Sequence, residues 1–402
     1  MPLEPRDGVP SIMVDADDLI AYSTDLAAGS GPVAIDAERA SGYRYSQRAY
    51  LIQLRRSGAG TALVDPIALP DLTPLARALS GTEWILHAAT QDLPCLAEVG
   101  LVPDRLFDTE LAGRLLGRER VSLAALVESE LGLHLEKGHG ATDWSVRPLS
   151  PAQLRYAALD VEVLVELRDA LAAALEEQGK TDLARQEFVS QMSFRPRERT
   201  EEEWRRMSGL HKVRKPRARA IARELWRTRD YLASVRDIAV GRLLPDASII
   251  VAALSDVDSL QGLRELAGFH GRGAQRFAKH WWAAIERARG LPDAECPGPP
   301  PRADGPPPPR AWADRDPEAF ARLESARRVL AATAESMRMP VENLLTPDTV
   351  RRLCWRPPAE IDVLTVTAAL EAAGSRPWQV TATAGPLAQA LLNVDAPEVT
   401  DE

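Results

Sequence analysis

Five residues in this chain have types and spacings that could do chemistry: four acids and a tyrosine. Asp36 and Glu38 stand two apart in "VAIDAERA", at the end of an apolar run that reads as a strand. Alternate strand residues point to one face, so the two carboxylates are expected side by side. Like charges repel at that spacing. A divalent cation would remove the repulsion, because hard cations prefer carboxylate oxygens. For the pair alone, a solvated acid pair at a strand end is an equally simple reading. Asp92 follows in "WILHAATQDLPCL", where a strand is expected to end at His87. Pro94 is tolerated only in the first turn of a helix, which sets Asp92 at or near a helix N-terminus. The helix dipole favours an acid there whatever its function. Tyr156 and Asp160, in "LRYAALDVEVLVEL", are four apart on a helix and share a face. That helix is apolar enough to be mostly buried, and a buried acid needs a partner. A core tyrosine bonded to an aspartate would supply one.

The elements that must position these residues alternate through the first half of the chain. "SIMV", "VAIDAE", "AYLIQLRR", "TALVDP" and "WILHA" read as strands. Helical patterns cover about Asp17 to Ala28, Leu72 to Leu79, Leu93 to Val99, Thr109 to Leu116, Ser122 to Leu131 and Pro151 to Gln178. Strands mixed with helices predict an α/β domain ending near Phe194. From about Glu201 the pattern is nearly all helix. The tract Leu291 to Trp312 is too Pro-rich to form a core and reads as a semi-rigid spacer. Helices resume near Asp316. Segments starting at Trp226 and Arg327 share a pattern: a helix, a small apolar turn, "RLLPD" or "NLLTPD", then another helix. This predicts two copies of one small helical module.

With 402 residues, the chain is long enough for two to four domains. Its three cysteines are far apart and form no C-x-x-C pair, so neither a disulfide framework nor a zinc site is indicated. The start has no basic segment followed by an apolar one, and no window is long and apolar enough to span a membrane. A cytoplasmic protein with no membrane partner is expected. The net charge of −9 argues against a nucleic-acid binder, but charge is unevenly spread. Arg195 to Arg229 holds 13 basic against 5 acidic residues, a local +8, whereas Arg315 to Arg376 holds 9 of each. The first helical module is therefore the expected nucleic-acid binder. Two further segments are candidates for contact with it: the loop "RASGYRYSQRAY", with three arginines and three tyrosines, and the turn "GFHGRG".

Taken together and in order, D-x-E on an early strand, an aspartate after a later strand, and Y-x-x-x-D on a long helix resemble the DEDD exonucleases. Tyrosine at 156 marks the tyrosine branch; the histidine of the sister branch would stand at Arg155. "HAATQDL" and "TDWSVRPLSPAQLRYAALD" resemble the ribonuclease D family closely, and the helical modules resemble HRDC domains. The resemblance implies an RNase H-like α/β domain, a mixed sheet with flanking helices, followed by two all-α modules. The implied domains are an exonuclease domain at 1–195, a first HRDC-like module at 205–291, a Pro-rich linker at 292–314, a second HRDC-like module at 315–393 and a disordered acidic tail at 394–402. It further implies that Asp36, Glu38, Asp92 and Asp160 bind two divalent cations, Mg²⁺ or Mn²⁺. Tyr156 would orient the attacking water, since a tyrosine with a pKa of about 10 serves better as a positioner than as a base. Gln53, His87 and Lys137 are the implied substrate contacts. The implied activity is 3′→5′ exoribonuclease cleavage at a single-stranded RNA 3′ end. It would release nucleoside 5′-monophosphates, and tRNA-like precursors are the expected substrates of a monomer. A DNA exonuclease and a non-catalytic nucleic-acid scaffold are the alternatives.

Overall fold

In this computed structural model, residues 4–135, 138, 142–299 and 305–393 are described. Lys137 and the expected tail at 394–402 lie outside them. Six strands form one sheet: β1 (Ile12–Met13), β2 (Ser30–Arg39), β3 (Ala49–Ser57), β4 (Gly60–Val64), β5 (Glu83–Leu86) and β6 (Arg105–Asp108). Their order is β1-β4-β3-β2-β5-β6. The pairs β2–β3 and β3–β4 are antiparallel, while β2–β5, β5–β6 and β1–β4 are parallel, so the sheet is mixed as expected. Central β2 is covered on both sides, which explains the unbroken apolar run Val33-Ala34-Ile35.

Among the described residues eight helices flank the sheet: α1 (Ala16–Ala28), α2 (Thr73–Leu79), α3 (Leu93–Glu98), α4 (Thr109–Leu115), α5 (Leu123–Leu131), α6 (Pro151–Glu162), α7 (Leu164–Glu177) and α8 (Thr181–Met192). Leu19, Leu26, Leu75 and Leu79 of α1 and α2 join Val33, Ile35, Ile52 and Leu54 in the main core. On the opposite face, Val161 and Leu164 pack on Ala34 and Ile85, while Ala157 joins Leu51 and Leu63. Two features differ from the expected elements. Strand β6, "RLFD", is only four residues long, too short to show a period of two. The single helix expected over Pro151 to Gln178 breaks at Val163 (φ −98°, ψ −8°), turning α7 onto α4 and α5. No Gly or Pro marks that break.

The first helical module comprises α9 (Pro216–Arg236), α10 (Val240–Leu243), α11 (Asp246–Leu254), α12 (Leu260–Glu265), α13 (Arg272–Arg276) and α14 (Ala278–Gly290), closed around Leu225, Ile249, Phe269 and Trp281. The second comprises α15 (Trp312–Arg315), α16 (Pro317–Ser336), α17 (Val341–Leu344), α18 (Pro347–Trp355), α19 (Val363–Ala372) and α20 (Pro377–Leu392), around Leu323, Leu330, Leu353 and Leu387. The internal repeat is visible in helix lengths. The series α9, α10, α11 runs 21, 4 and 9 residues, and α16, α17, α18 runs 20, 4 and 9.

In both modules the long helix is followed by a non-glycine left-handed residue, Asp237 (φ 47°) and Arg338 (φ 50°). That conformation disfavours a side chain, so tertiary contacts must hold it. Both corners do dock on the α/β domain. At the first, Ser46 N and Tyr50 Oη donate to the Asp237 carboxylate at 2.8 and 3.1 Å, and Ala239 N donates to Tyr43 O at 2.9 Å. At the second, Lys180 Nζ donates to Leu115 O (2.6 Å) and Arg338 O (3.2 Å). A Cβ on Gly117 (φ +75°) would lie 2.4 Å from Arg338 O, so only glycine permits this approach. Arg376 then grips Glu187 with two bonds of 2.7 and 2.6 Å, and Trp378 Nε1 donates to the same carboxylate. Much of the loop "RASGYRYSQRAY" is thus a domain joint, with Ser46, Arg48 and Tyr50 spent on Asp237.

Candidate active site

The pleat of β2 sends Ile35 and Ala37 into the main core and Asp36 and Glu38 to the other face. Helix α6 lies across that face. Its start is fixed by Pro151 in the first turn and by a capping box in which Ser150 and Gln153 each accept from the other's backbone. Its apolar face is pressed on the sheet by Ala157 and Val161, which aims Tyr156 and Asp160 toward the strand acids. One carboxylate oxygen from each of Asp36, Glu38 and Asp160 lies within 4.8 Å of the others. Tyr156 is hydrogen-bonded to Asp160, and its ring lies 6.3 Å from that of buried Trp144.

Asp92 reaches the same cleft from a different wall. A single 3₁₀ turn (Ala89–Gln91) separates β5 from α3, entered through Ala88 in the left-handed region (φ 58°). Asp92 occupies the N-cap position of α3, yet its carboxylate makes no capping bond. It faces Arg39 at 3.7 Å and lines the cleft with the other three acids. It stands outside the 4.8 Å group. The strained turn is held by Asp108, a residue the sequence reading did not single out. Asp108 is fully buried and accepts from Ala88 N, Ala89 N, Glu110 N and Leu111 N at 2.9–3.2 Å, and from Gln191 Nε2 at 2.7 Å. One carboxylate thereby ties the Asp92 turn to α4 and α8. Its only sequence signal was an aspartate immediately before a helix, which any N-cap gives.

The cleft has a volume of about 1030 Å³ and is lined by the four acids, Tyr156, His87 and Tyr43, among others. His87 Nδ1 is bonded to Thr109 Oγ1 at 2.9 Å, and burial lowers its pKa. Gln53 is located differently from the expected nucleotide contact. It pairs with Asp36 across β2–β3 and is completely buried, outside the cleft lining. Both its amide atoms lack a hydrogen-bond partner among the described residues. Lys137 falls outside those residues. Arg155, at the sister branch's histidine position, pairs with Glu4 at 2.8 Å.

All four acids have raised pKa values. Burial is the first cause in each case, and neighbouring acids add to it at Glu38, Asp92 and Asp160. Asp36, for example, raises both Glu38 and Asp160. Arg39 opposes the shift at Asp36, Glu38 and Asp92, but one half-exposed arginine cannot offset four acids. A buried, all-oxygen donor set with this excess of negative charge fits a hard divalent cation. Tyr156 is pushed well above the ordinary tyrosine value by burial, then by Asp160, Glu38 and Asp36. It is a hydrogen-bond donor at neutral pH.

Comparison with known proteins agrees with this geometry. Residues 11–176 match a 3′-5′ exonuclease family model, 218–285 an HRDC domain, and 305–391 a 3′ to 5′ exonuclease C-terminal domain. The chain is 33% identical over 288 residues to ribonuclease D of Gluconacetobacter diazotrophicus, covering 68% of this chain and 71% of that one. It is 31% identical over 310 residues to ribonuclease D of Escherichia coli, covering 71% and 77%. A crystal structure of a protein from Bifidobacterium adolescentis superposes with a TM-score of 0.88 at 38% identity, over 97% of this chain and 98% of that one. Escherichia coli RNase D shares the fold, with a TM-score of 0.69 at 24% identity over 95% and 98%. The chain belongs to the ribonuclease D family, and its α/β domain is a 3′-5′ exonuclease domain.

Proposed function

We propose that the cleft removes nucleotides one at a time from single-stranded RNA 3′ ends, releasing nucleoside 5′-monophosphates, with two Mg²⁺ or Mn²⁺ ions as cofactors. Precursors such as tRNA are the proposed substrates of a cytoplasmic monomer. The observation that carries this reading is the convergence of three carboxylates within 4.8 Å, Glu38 buried and Asp36 and Asp160 half-buried, with Tyr156 bonded to Asp160. Asp36, Glu38 and Asp160 would hold one ion, and Asp92, from the opposite wall, would help hold a second. When bound, such ions polarise the phosphodiester and lower the pKa of a bound water. Tyr156 stays protonated, so its hydroxyl orients the attacking oxygen and does not remove its proton. His87, neutral and tied to Thr109 through Nδ1, keeps Nε2 for the terminal nucleotide. Lys137 remains a proposed contact for the scissile phosphate.

The test compares 5′-labelled RNA and DNA of one sequence with Mg²⁺, Mn²⁺ or chelator. RNA should shorten in single-nucleotide steps and release 5′-monophosphates, chelator should stop it, and DNA should be cut more slowly. Cleavage in chelator, or release of 3′-phosphates, would overturn the metal-dependent reading. Faster cleavage of DNA would support a DNA exonuclease. No cleavage of either would leave a binding scaffold.

Gln53 carries a separate prediction. A buried polar group without a partner costs about 1–3 kcal/mol. We assign Gln53 to a position beside the metal site, on the same face of the sheet as Asp36, where its amide would orient Asp36 or a water once cations are bound. Gln53→Met is expected to raise the melting temperature of the metal-free protein and to weaken metal binding several-fold. Thermal melts across a Mg²⁺ titration measure both. A variant with unchanged stability and unchanged metal midpoint would reduce Gln53 to packing.

A further inference from the structure

The local excess of +8 between Arg195 and Arg229 is reduced in the fold by three carboxylates from outside the run, Asp230, Asp246 and Asp293, and the rest of its ion pairs are internal. Eight of those 13 basic residues have a carboxylate within 4 Å. Of the other five, Arg195, Lys212, Arg214 and Lys215 are exposed, and the last three sit at the start of α9. That helix has 21 residues and rises about 1.5 Å per residue, so these charges lie about 30 Å along it from the corner that meets the α/β domain.

A different set of arginines lies at that corner. Arg236, Arg242, Arg272 and Arg276 are all exposed, and among the described residues none has a carboxylate within 4 Å. Arg236 and Arg276 converge on one ring, with guanidinium carbons 4.9 and 5.5 Å from the centre of Phe277. Arg272 opens the short helix that ends at Arg276. That helix packs directly on the backbone of Arg242: a Cβ on Gly273 would lie 2.3 Å from Arg242 O. This close approach explains the glycine in "GFHGRG" as packing. Arg242 in turn donates from Nε to Gly42 O at 2.8 Å and stacks 4.0 Å over the ring of Tyr43. Gly42 and Tyr43 line the cleft that holds the acids. The nearest acid in sequence, Asp237, is turned inward onto Ser46, Arg48 and Tyr50.

We infer that this unpaired arginine cluster is the track for the RNA backbone upstream of the scissile bond, running from Tyr43 at the cleft rim over Arg242 to Arg272, Arg276 and Arg236. The inference rests on the exonuclease reading of the cleft and adds to it the surface that grips the strand. Clustered like charges with no acid between them repel, and a polyanion lying across them removes that repulsion. Guanidiniums suit this role, since their planar donors match phosphate oxygens. The ring of Tyr43, stacked under Arg242, fixes that guanidinium at the cleft rim. The joint between the domains is thus also the path of the substrate.

The test uses the full chain and a 20-nucleotide oligoadenylate in chelator, with affinity measured across a salt series. A variant with Arg236, Arg242, Arg272 and Arg276 all changed to Gln should flatten the slope of log K against log salt by roughly 0.7 per lost contact, about 3 in all. The same four positions changed to Lys should keep most of the slope. Lys212→Gln, Arg214→Gln and Lys215→Gln together should flatten it much less than the Gln set. A wild-type slope in the four-Gln variant would overturn the inference. So would an equal loss in the four-Lys variant, which would trace the effect to packing around Phe277. Failure of the wild-type chain to cleave RNA in Mg²⁺ would count instead against the exonuclease reading beneath it.

Discussion

Asp36→Asn is expected to reduce mononucleotide release from RNA by at least about 10³-fold, roughly 4 kcal/mol of transition-state stabilisation. Folding and RNA binding should persist. Asparagine keeps the shape of the side chain but replaces a charged oxygen donor with a neutral one. Asp36 is one of the three acids that converge within 4.8 Å, and it raises the pKa of both Glu38 and Asp160. The same substitution removes a half-buried acid from a repelling cluster. The metal-free variant should therefore melt no lower than the metal-free wild type. Adding Mg²⁺ at a hundred times its dissociation constant stabilises a protein that binds it only when folded by about 2.7 kcal/mol. The wild type should show that rise and Asp36→Asn should not. Single-turnover cleavage and paired thermal melts measure the two effects. A variant that cleaves at the wild-type rate would remove Asp36 from the site.

Tyr156→Phe should slow the chemical step by about 10²–10⁴-fold while leaving the Mg²⁺-dependent rise in melting temperature intact. Only the hydroxyl is lost, and the ring keeps its packing near Trp144. In the metal-free site burial and three acids hold the hydroxyl protonated, and the proposed role of the residue is to donate a hydrogen bond. Its contribution should therefore be nearly flat between pH 6 and 9, with no step from tyrosine ionisation. The measurement is the ratio of wild-type to variant single-turnover rates across that range. A ratio near one would leave Tyr156 a packing residue, and a ratio that climbs steeply with pH would make it a base.

What was legible in the sequence was whatever depends on short-range spacing. The D-x-E pair, the Y-x-x-x-D pair and the strands that carry Asp36 and Gln53 follow from periods of two and 3.6, and the structure has them there. Features that depend on distant partners were not legible. Asp108 looks like an ordinary N-cap until its bonds to Ala88, Ala89 and Gln191 are seen. The bend at Val163 comes from packing on α4 and α5 and has no local signal. Gln53 reads as a polar residue on a strand near the site, and only the sheet register puts it directly across from Asp36. Charge pairing was not legible either. The basic run before Arg229 is dense in sequence, but three of its arginines are paired with acids that lie beyond it in the chain, Asp230, Asp246 and Asp293. Arg236, Arg242, Arg272 and Arg276 are scattered in sequence and meet only in the fold.

Anomalous diffraction from crystals grown with Mn²⁺ and a nucleoside 5′-monophosphate tests the central claim most directly. The account predicts one Mn²⁺ bound by carboxylate oxygens of Asp36, Glu38 and Asp160, and a second reached by Asp92, with the nucleotide's phosphate between them and Tyr156. Saturating Mn²⁺ with no anomalous peak among these acids, or a nucleotide bound away from them, would contradict it.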